Sequence, residues 1–349
     1  HWPTPCGATA IPAHGSCAAH HSPPLATECG PRALCAFLDI ATRLWWQHLR
    51  MPNSSSSLHG VVLVLLAAVL WGTTGTANSF APDGMPPFWV GALRLVMAAA
   101  FFVLLGRVLK DSATIRQAPL HWRRMLLCAL CMVTYNMAFF AGLQSTGIGL
   151  GTAVAIGSSP VWAGLLQAAM LRRWPSGLWW LGTSIGVIGG FVMTQGKGGD
   201  MSASASGLLL CLLAGLAYGA YAVISQPLIL QSGVTRVNAW VFFSAALISL
   251  PIAALLGGTP HTNAQGWAVV VYLGVVATGV AYLLFSIGLR SISAATSVAL
   301  SKFEPITAFV LSILVVGEQP SWLAWCGLAL VLLGLWLVVH SEMRQNRQT

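Results

Sequence analysis

Charge is the scarcest commodity in this sequence. Asp, Glu, Lys and Arg make up 7% of its 349 residues, where a soluble domain carries about a quarter. Apolar residues make up 56%, and a water-soluble fold of that composition would expose large sticky patches. Strict alternation of polar and apolar residues is missing as well. Runs such as Val61 to Leu70 and Leu328 to Val339 do not alternate, which excludes a membrane β-barrel. No GxxxxGK[ST] loop occurs, so nothing points to an ATP motor. HExxH and paired-Asp signatures are absent too, so no enzyme, metal or cofactor is expected.

Eight cysteines give no disulfide framework. Cys128, Cys131, Cys211 and Cys326 fall inside apolar runs, where a free thiol behaves as a small hydrophobe. The Cys128–Cys131 pair is a CxxC, but at that depth it reads as packing rather than as a metal or redox site. The net charge of +9 does not imply nucleic acid. Its basic residues sit in short loops on alternate sides of the chain rather than on one face.

What is present is length, and a duplication. Apolar residues cluster in runs of about 20, enough to cross a bilayer core as a helix. Ten spans are expected, roughly 60–80, 87–106, 124–144, 148–171, 176–195, 207–228, 237–257, 266–288, 294–316 and 321–339. Shifting the chain by 145 residues places Pro160 on Pro305, Pro175 on Pro320, Trp180 on Trp325, Gly182 on Gly327 and Gly189 on Gly334. With one or two residues more of shift, Gly142 falls on Gly288 and Trp71-Gly72 on Tyr218-Gly219. The expected divisions are an extension at 1–57, a first five-span repeat at 58–196, a second at 206–340 and a tail at 341–349.

The first fifty residues match neither repeat. They are rich in Pro, Ala, His and Cys, and they read as disordered or as foreign to the membrane part. A zinc tail built on Cys17, His20, His21, Cys29 and Cys35 fits no regular ligand spacing.

With the amino terminus in the cytoplasm, that side holds Arg107, Lys110, Arg116, Arg123, Arg124, Arg172, Arg173, Arg236, Arg290, Arg344 and Arg347. The other side holds only Lys197, so both termini are expected to be cytoplasmic. Five spans per repeat is an odd number. The second copy therefore enters the bilayer from the opposite face, and the repeats are inverted. Inverted repeats are typical of secondary transporters, whose substrate sites lie at mid-membrane between the halves.

These features resemble the drug/metabolite transporter superfamily, specifically the ten-span EamA-type carriers. The resemblance rests on Trp71-Gly72, on Arg94, on the two-helix cassette ending each half, and on the Glu304-Pro305…Gly317-Glu318-Gln319-Pro320 skeleton. It covers about residues 58–340 and names no solute. It implies an all-α bundle of two inverted repeats in a bacterial inner membrane, exporting amino acids, other metabolites or drugs. The first half departs from the pattern, with Ser159-Pro160 where the second has Glu304-Pro305, and Arg172-Arg173 where it has Gly317-Glu318.

Charges at depth are costly and therefore informative. Arg94, Lys302 and Glu304 lie near the middle of their spans. Lys302 and Glu304 are two positions apart, so on a helix they face opposite ways and cannot pair. Lys302 reads either as a cation holding a carboxylate or phosphate, or as a side chain bonded to a carbonyl. Glu304 and Arg94 read either as coupling groups or as structural ties. Trp71, Thr74 and Asn78 share one face of span one, and Tyr135 and Asn136 interrupt span three. Tyr218 and Tyr221 lie on span six, Tyr282 on span eight, and Ser301 beside Lys302. Singly, each is explained by helix packing. Together they suit an aromatic, polar-lined substrate pocket.

The expected function is a secondary active exporter of small metabolites such as amino acids, with proton coupling as one energy source and a monomer or homodimer as the unit. Phosphorylated or sugar-like metabolites, or drugs, are the alternative cargo. A membrane sensor or scaffold that retains the fold is the alternative of another class.

Overall fold

The computed structural model describes residues 56–80, 85–109, 121–195, 204–317 and 319–348. Expectations for residues 1–50, for the turns at 82–84 and 196–200, and for Lys110, Arg116, Lys197 and Glu318 fall outside them. Among the described residues every regular element is a helix. Ten are long and apolar enough to cross a membrane: Ser57–Ala77, Pro87–Val108, Trp122–Thr146, Leu150–Leu171, Gly177–Gln195, Ala205–Ser232, Val234–Leu256, Ala264–Gly288, Ala294–Val315 and Trp322–Gln345, here spans one to ten. A lipid-exposed backbone must bond within itself, which is why apolar runs of this length become helices.

The ends carry the expected local chemistry. Ser204 and Asn263 cap spans six and eight, accepting from the amides of Gly207 at 3.1 Å and Gly266 at 3.0 Å. Two reversals are tighter than the sequence suggests. Spans three and four are joined by Gly147 alone, and six and seven by Gly233 alone, with φ of 77° and 81°. Only glycine takes such angles without strain. Span six was expected to stop near 228 but runs to Ser232 through Pro227, so Arg236 lies in the first turn of span seven rather than in a loop. A proline forfeits one helical hydrogen bond, and neighbouring helices make the kinked helix tolerable.

Spans pair symmetrically. Five packs on ten, two on seven and four on nine; three packs on six as eight does on one; four packs on six as nine does on one. An exchange of halves maps this set onto itself. The self-paired spans run antiparallel. Along the five–ten contact, a Cβ on Gly182 would meet Gly334 O and one on Gly189 would meet Gly327 O. Trp89 bonds Gly258 while Phe102 stacks on Phe242, so spans two and seven also oppose. Equivalent helices that run antiparallel are related by an axis across the helices, in the membrane plane. The repeats are therefore inverted.

Glycines make these approaches possible. A Cβ on Gly72 would lie 2.7 Å from Glu304 O, and one on Gly219 would lie 3.0 Å from Ser159 O, the same contact in each half. Small residues let helix backbones touch where lipid offers no competing driving force.

Candidate functional site

A cavity of about 80 Å³ opens where spans one, two, three, four, six, eight and nine converge. Its aromatic wall is one connected web. Trp71 meets Tyr218 edge-on at 6.2 Å and Tyr282 at 5.2 Å, and Tyr135 lies 5.4 Å from Tyr218. Phe139 stacks on Tyr135 at 5.8 Å. The chain has only 5 tyrosines, and Tyr135, Tyr218 and Tyr282 all stand on this wall. Such ring pairs hold one another in place beyond what their buried area contributes. The Tyr218 hydroxyl is buried without a hydrogen-bond partner. Ser301, on the same wall, spends its hydroxyl on Val298 O at 2.7 Å. A buried orphan hydroxyl costs roughly 1–3 kcal/mol, so it calls for water or a solute.

Arg94 and Glu304 bring charge to the cavity. Arg94 Nε donates to Thr278 Oγ1 at 3.1 Å, and that hydroxyl donates to Leu273 O at 2.7 Å. Thr278 lies in a π-helical segment, Val275–Val280, and bonds five residues back, as the wider turn dictates. π-segments recur at functional positions because the extra residue redirects a side chain. Arg94 is thus tied to span eight. Glu304 shares the wall with it, and among the described residues no ion pair joins the two.

Of the residues singled out in the sequence, the structure brings Trp71, Thr74, Arg94, Tyr135, Asn136, Tyr218, Tyr282, Ser301 and Glu304 onto this wall. Asn136 donates from Nδ2 to Met132 O at 2.9 Å. Two, Tyr221 and Lys302, do not join them. Tyr221 is fully buried behind the wall, its ring 5.7 Å from Tyr282 and its hydroxyl 3.4 Å from Asn238 Oδ1. Asn78 lies on span one's helix, its side chain outside the described residues. Lys302 turns away, and its Nζ donates to Thr183 O on span five at 3.0 Å. Span nine, expected to be continuous, breaks at Ser301-Lys302 into helices Ala294–Leu300 and Phe303–Leu311. Successive residues there face different sides.

Phe139, Phe140, Ala155 and Ile156 complete the wall and were missed. Two signals pointed to them. Phe139 and Phe140 sit one turn beyond Tyr135 and Asn136, and Ile156 falls on Ser301 in the 145-residue shift. Glu342 was also missed, being assigned to a tail. Helix Trp322–Gln348 carries it into the fold, 4% exposed. Its carboxylate accepts from Ser293 N and Ser293 Oγ at 3.0 Å each and from Thr296 Oγ1 at 2.5 Å. Gln167 Oε1, from span four, accepts from Ala295 N at 2.9 Å. Together they cap the start of span nine, satisfying amides that helix geometry leaves open.

A family model described as the EamA-like transporter family matches residues 58–195 and 205–340. The "uncharacterized transporter YwfM" of Bacillus subtilis is 33% identical over 286 residues, spanning 82% of this chain and 95% of its own. The "probable terminal-alkyne amino-acid exporter" of Streptantibioticus cattleyicolor is 23% identical over 291 residues, spanning 82% of this chain and 95% of its own. One solved structure superposes with a TM-score of 0.72 at 21% identity, over 84% of this chain and 99% of the other, so the two share a fold.

Proposed function

The chain belongs to the EamA-like transporter family, a multi-pass transporter of small molecules in lipid, and from that premise we propose a secondary active exporter of small metabolites, amino acids foremost. The observation that carries this reading is the Trp71 cavity itself. It lies where both halves contribute walls, and it presents aromatic faces, the free Tyr218 hydroxyl and the Glu304 carboxylate. Aromatic faces suit an apolar side chain or an ammonium group, and Glu304 suits a cation or a proton. The relative named as a probable amino-acid exporter supports the same solute class.

At about 80 Å³ the cavity holds a few waters, well below the roughly 300–1,000 Å³ of a small-molecule site. The halves must therefore rock apart to admit a solute, alternately to either side. Arg94, committed to Thr278, acts as a tie between spans two and eight, leaving Glu304 to meet the solute or a coupling proton. The basic bias of the loops favours an inner-membrane orientation with both termini in the cytoplasm.

The test is transport by purified protein in liposomes, using labelled amino acids with and without an imposed proton gradient. Accumulation that follows the gradient and stops in Glu304→Gln is the expected result. No movement of any solute across a broad panel, phosphorylated and sugar-like metabolites included, overturns the carrier reading and leaves a sensor or scaffold.

A further inference from the structure

A second cavity, of about 50 Å³, lies on the other side of span nine, between spans four, five, nine and ten. Its wall is Gly157, Gly186, Val187, Met193, Pro305 and Val331 among other apolar or small groups, and one cation, Lys302. Lys302 is 4% exposed. Its ammonium has three donors and spends one, on Thr183 O at 3.0 Å. Thr183 carries, in addition, a buried hydroxyl with no partner. Among the residues lining this cavity there is no carboxylate, and Glu304 lies on the far side of the span, in the wall of the first cavity. A cation this deep, without a counter-charge, is among the most expensive groups a membrane protein can hold. An anion is what would complete it.

The two cavities are neighbours. Ile156 stands in both walls. On span nine, Ser301 faces the aromatic cavity and Lys302 the second one, across the break in the helix. The space around the amine is kept open by glycine. A Cβ on Gly186 would lie 3.5 Å from Lys302 Nζ, while one on Gly157 would touch only Val187, at 3.6 Å. In the equivalent cassette of the first half, Gly157 itself occupies the place of Lys302, so the cation exists on one side of the symmetry only.

We propose that the Lys302 cavity is a subsite for the carboxylate of the transported solute, which is therefore a monocarboxylate whose aromatic or apolar end reaches past Ile156 into the Trp71 cavity. This rests on the carrier reading but narrows it. Neutral sugars and amines lack the group that Lys302 calls for, and an aromatic amino acid has it.

The experiment is thermal unfolding of the purified full-length protein with 4-phenylbutyrate and with 4-phenylbutyramide, a pair of similar size and shape that differ in charge. Wild type is expected to be stabilised by the acid in a concentration-dependent way and much less by the amide. Lys302→Met is expected to weaken the acid's effect about tenfold in concentration, the scale of a lost charged hydrogen bond, and to leave the amide's unchanged. Lys302→Arg keeps part of the preference, which separates charge from folding. Gly157→Val, which fills the space without touching the charge, also lowers it. Equal responses to acid and amide in wild type, or a preference that survives Lys302→Met, overturn the proposal. Transport is read separately. A preserved acid preference with no transport of any solute sinks the carrier reading and leaves the subsite standing. Transport without the preference does the reverse.

Discussion

Spans four and nine hold equivalent places in the two halves, and they have been put to different uses. Span four is one continuous helix, Ile148–Leu171, with Pro160 in its interior. Span nine breaks at Ser301-Lys302 and widens into a π-helical segment at Ser312–Val316. At matching positions, Ile156 stands opposite Ser301, Gly157 opposite Lys302 and Ser159 opposite Glu304. Ser159 is buried and closes its hydroxyl on Ile156 O at 2.9 Å, within its own helix. Glu304 opens onto a cavity. The glycine contacts are nonetheless shared, Gly72 lying on span nine as Gly219 lies on span four. Duplication preserved the packing, which depends on shape. Divergence placed Lys302 and Glu304 on span nine and neither charge on span four.

The sharpest way to break this comparison is to remove the chemistry from one span at a time. Glu304→Gln is expected to bring gradient-driven uptake in liposomes to background, while Ser159→Ala leaves it near wild type. Equal losses in both would mean that the halves share the work. Next in size is the shared packing. Gly72→Ala puts a Cβ 2.5 Å from Thr307 Cβ, whereas Gly219→Ala puts one 3.0 Å from backbone of span four. Thermal unfolding should show both destabilised, Gly72→Ala by up to about 3 kcal/mol and Gly219→Ala by less, the range for overpacking.

The cap on span nine comes third. Glu342→Ala strands the Ser293 amide and the Thr296 hydroxyl, and should cost about 2 kcal/mol in the same assay. Glu342→Gln, which keeps one acceptor oxygen, should cost less. Smallest is Tyr218→Phe. Because its hydroxyl has no partner, the change should leave the empty protein as stable as wild type or up to about 1 kcal/mol more so. If Tyr218 meets the solute, transport should weaken in the same variant, measured as a higher half-saturating concentration.

Much of the architecture was legible in the sequence, because it follows from repetition and from apolar run length. Odd-numbered repeats could only be inverted, and the antiparallel pairing of spans five and ten is that inversion seen in contacts. The aromatic wall was legible for a related reason. Tyr135, Tyr218 and Tyr282 interrupt runs that need no polar atom. Tyr221 carried the same signal one turn from Tyr218, yet it faces Asn238, since spacing on one helix does not say which neighbour a face will meet. Lys302 was legible as an expensive residue but not in its direction, which the break at Ser301-Lys302 settles. Glu342 was invisible, because a carboxylate just past an apolar run looks like the start of a solvated tail.

Composition and periodicity alone determined that the described residues hold ten helices of bilayer-crossing length, in two copies of opposite sense. A backbone in hydrocarbon has few ways to satisfy its own hydrogen bonds, and length counts the crossings. Only the tertiary structure decided which polar side chains share a cavity. That choice rests on how closely helices approach at Gly72, Gly182, Gly219 and Gly334, and on local breaks and π-turns that rotate one residue away from the next. Such rotations arise from contacts between distant parts of the chain, and no local pattern records them.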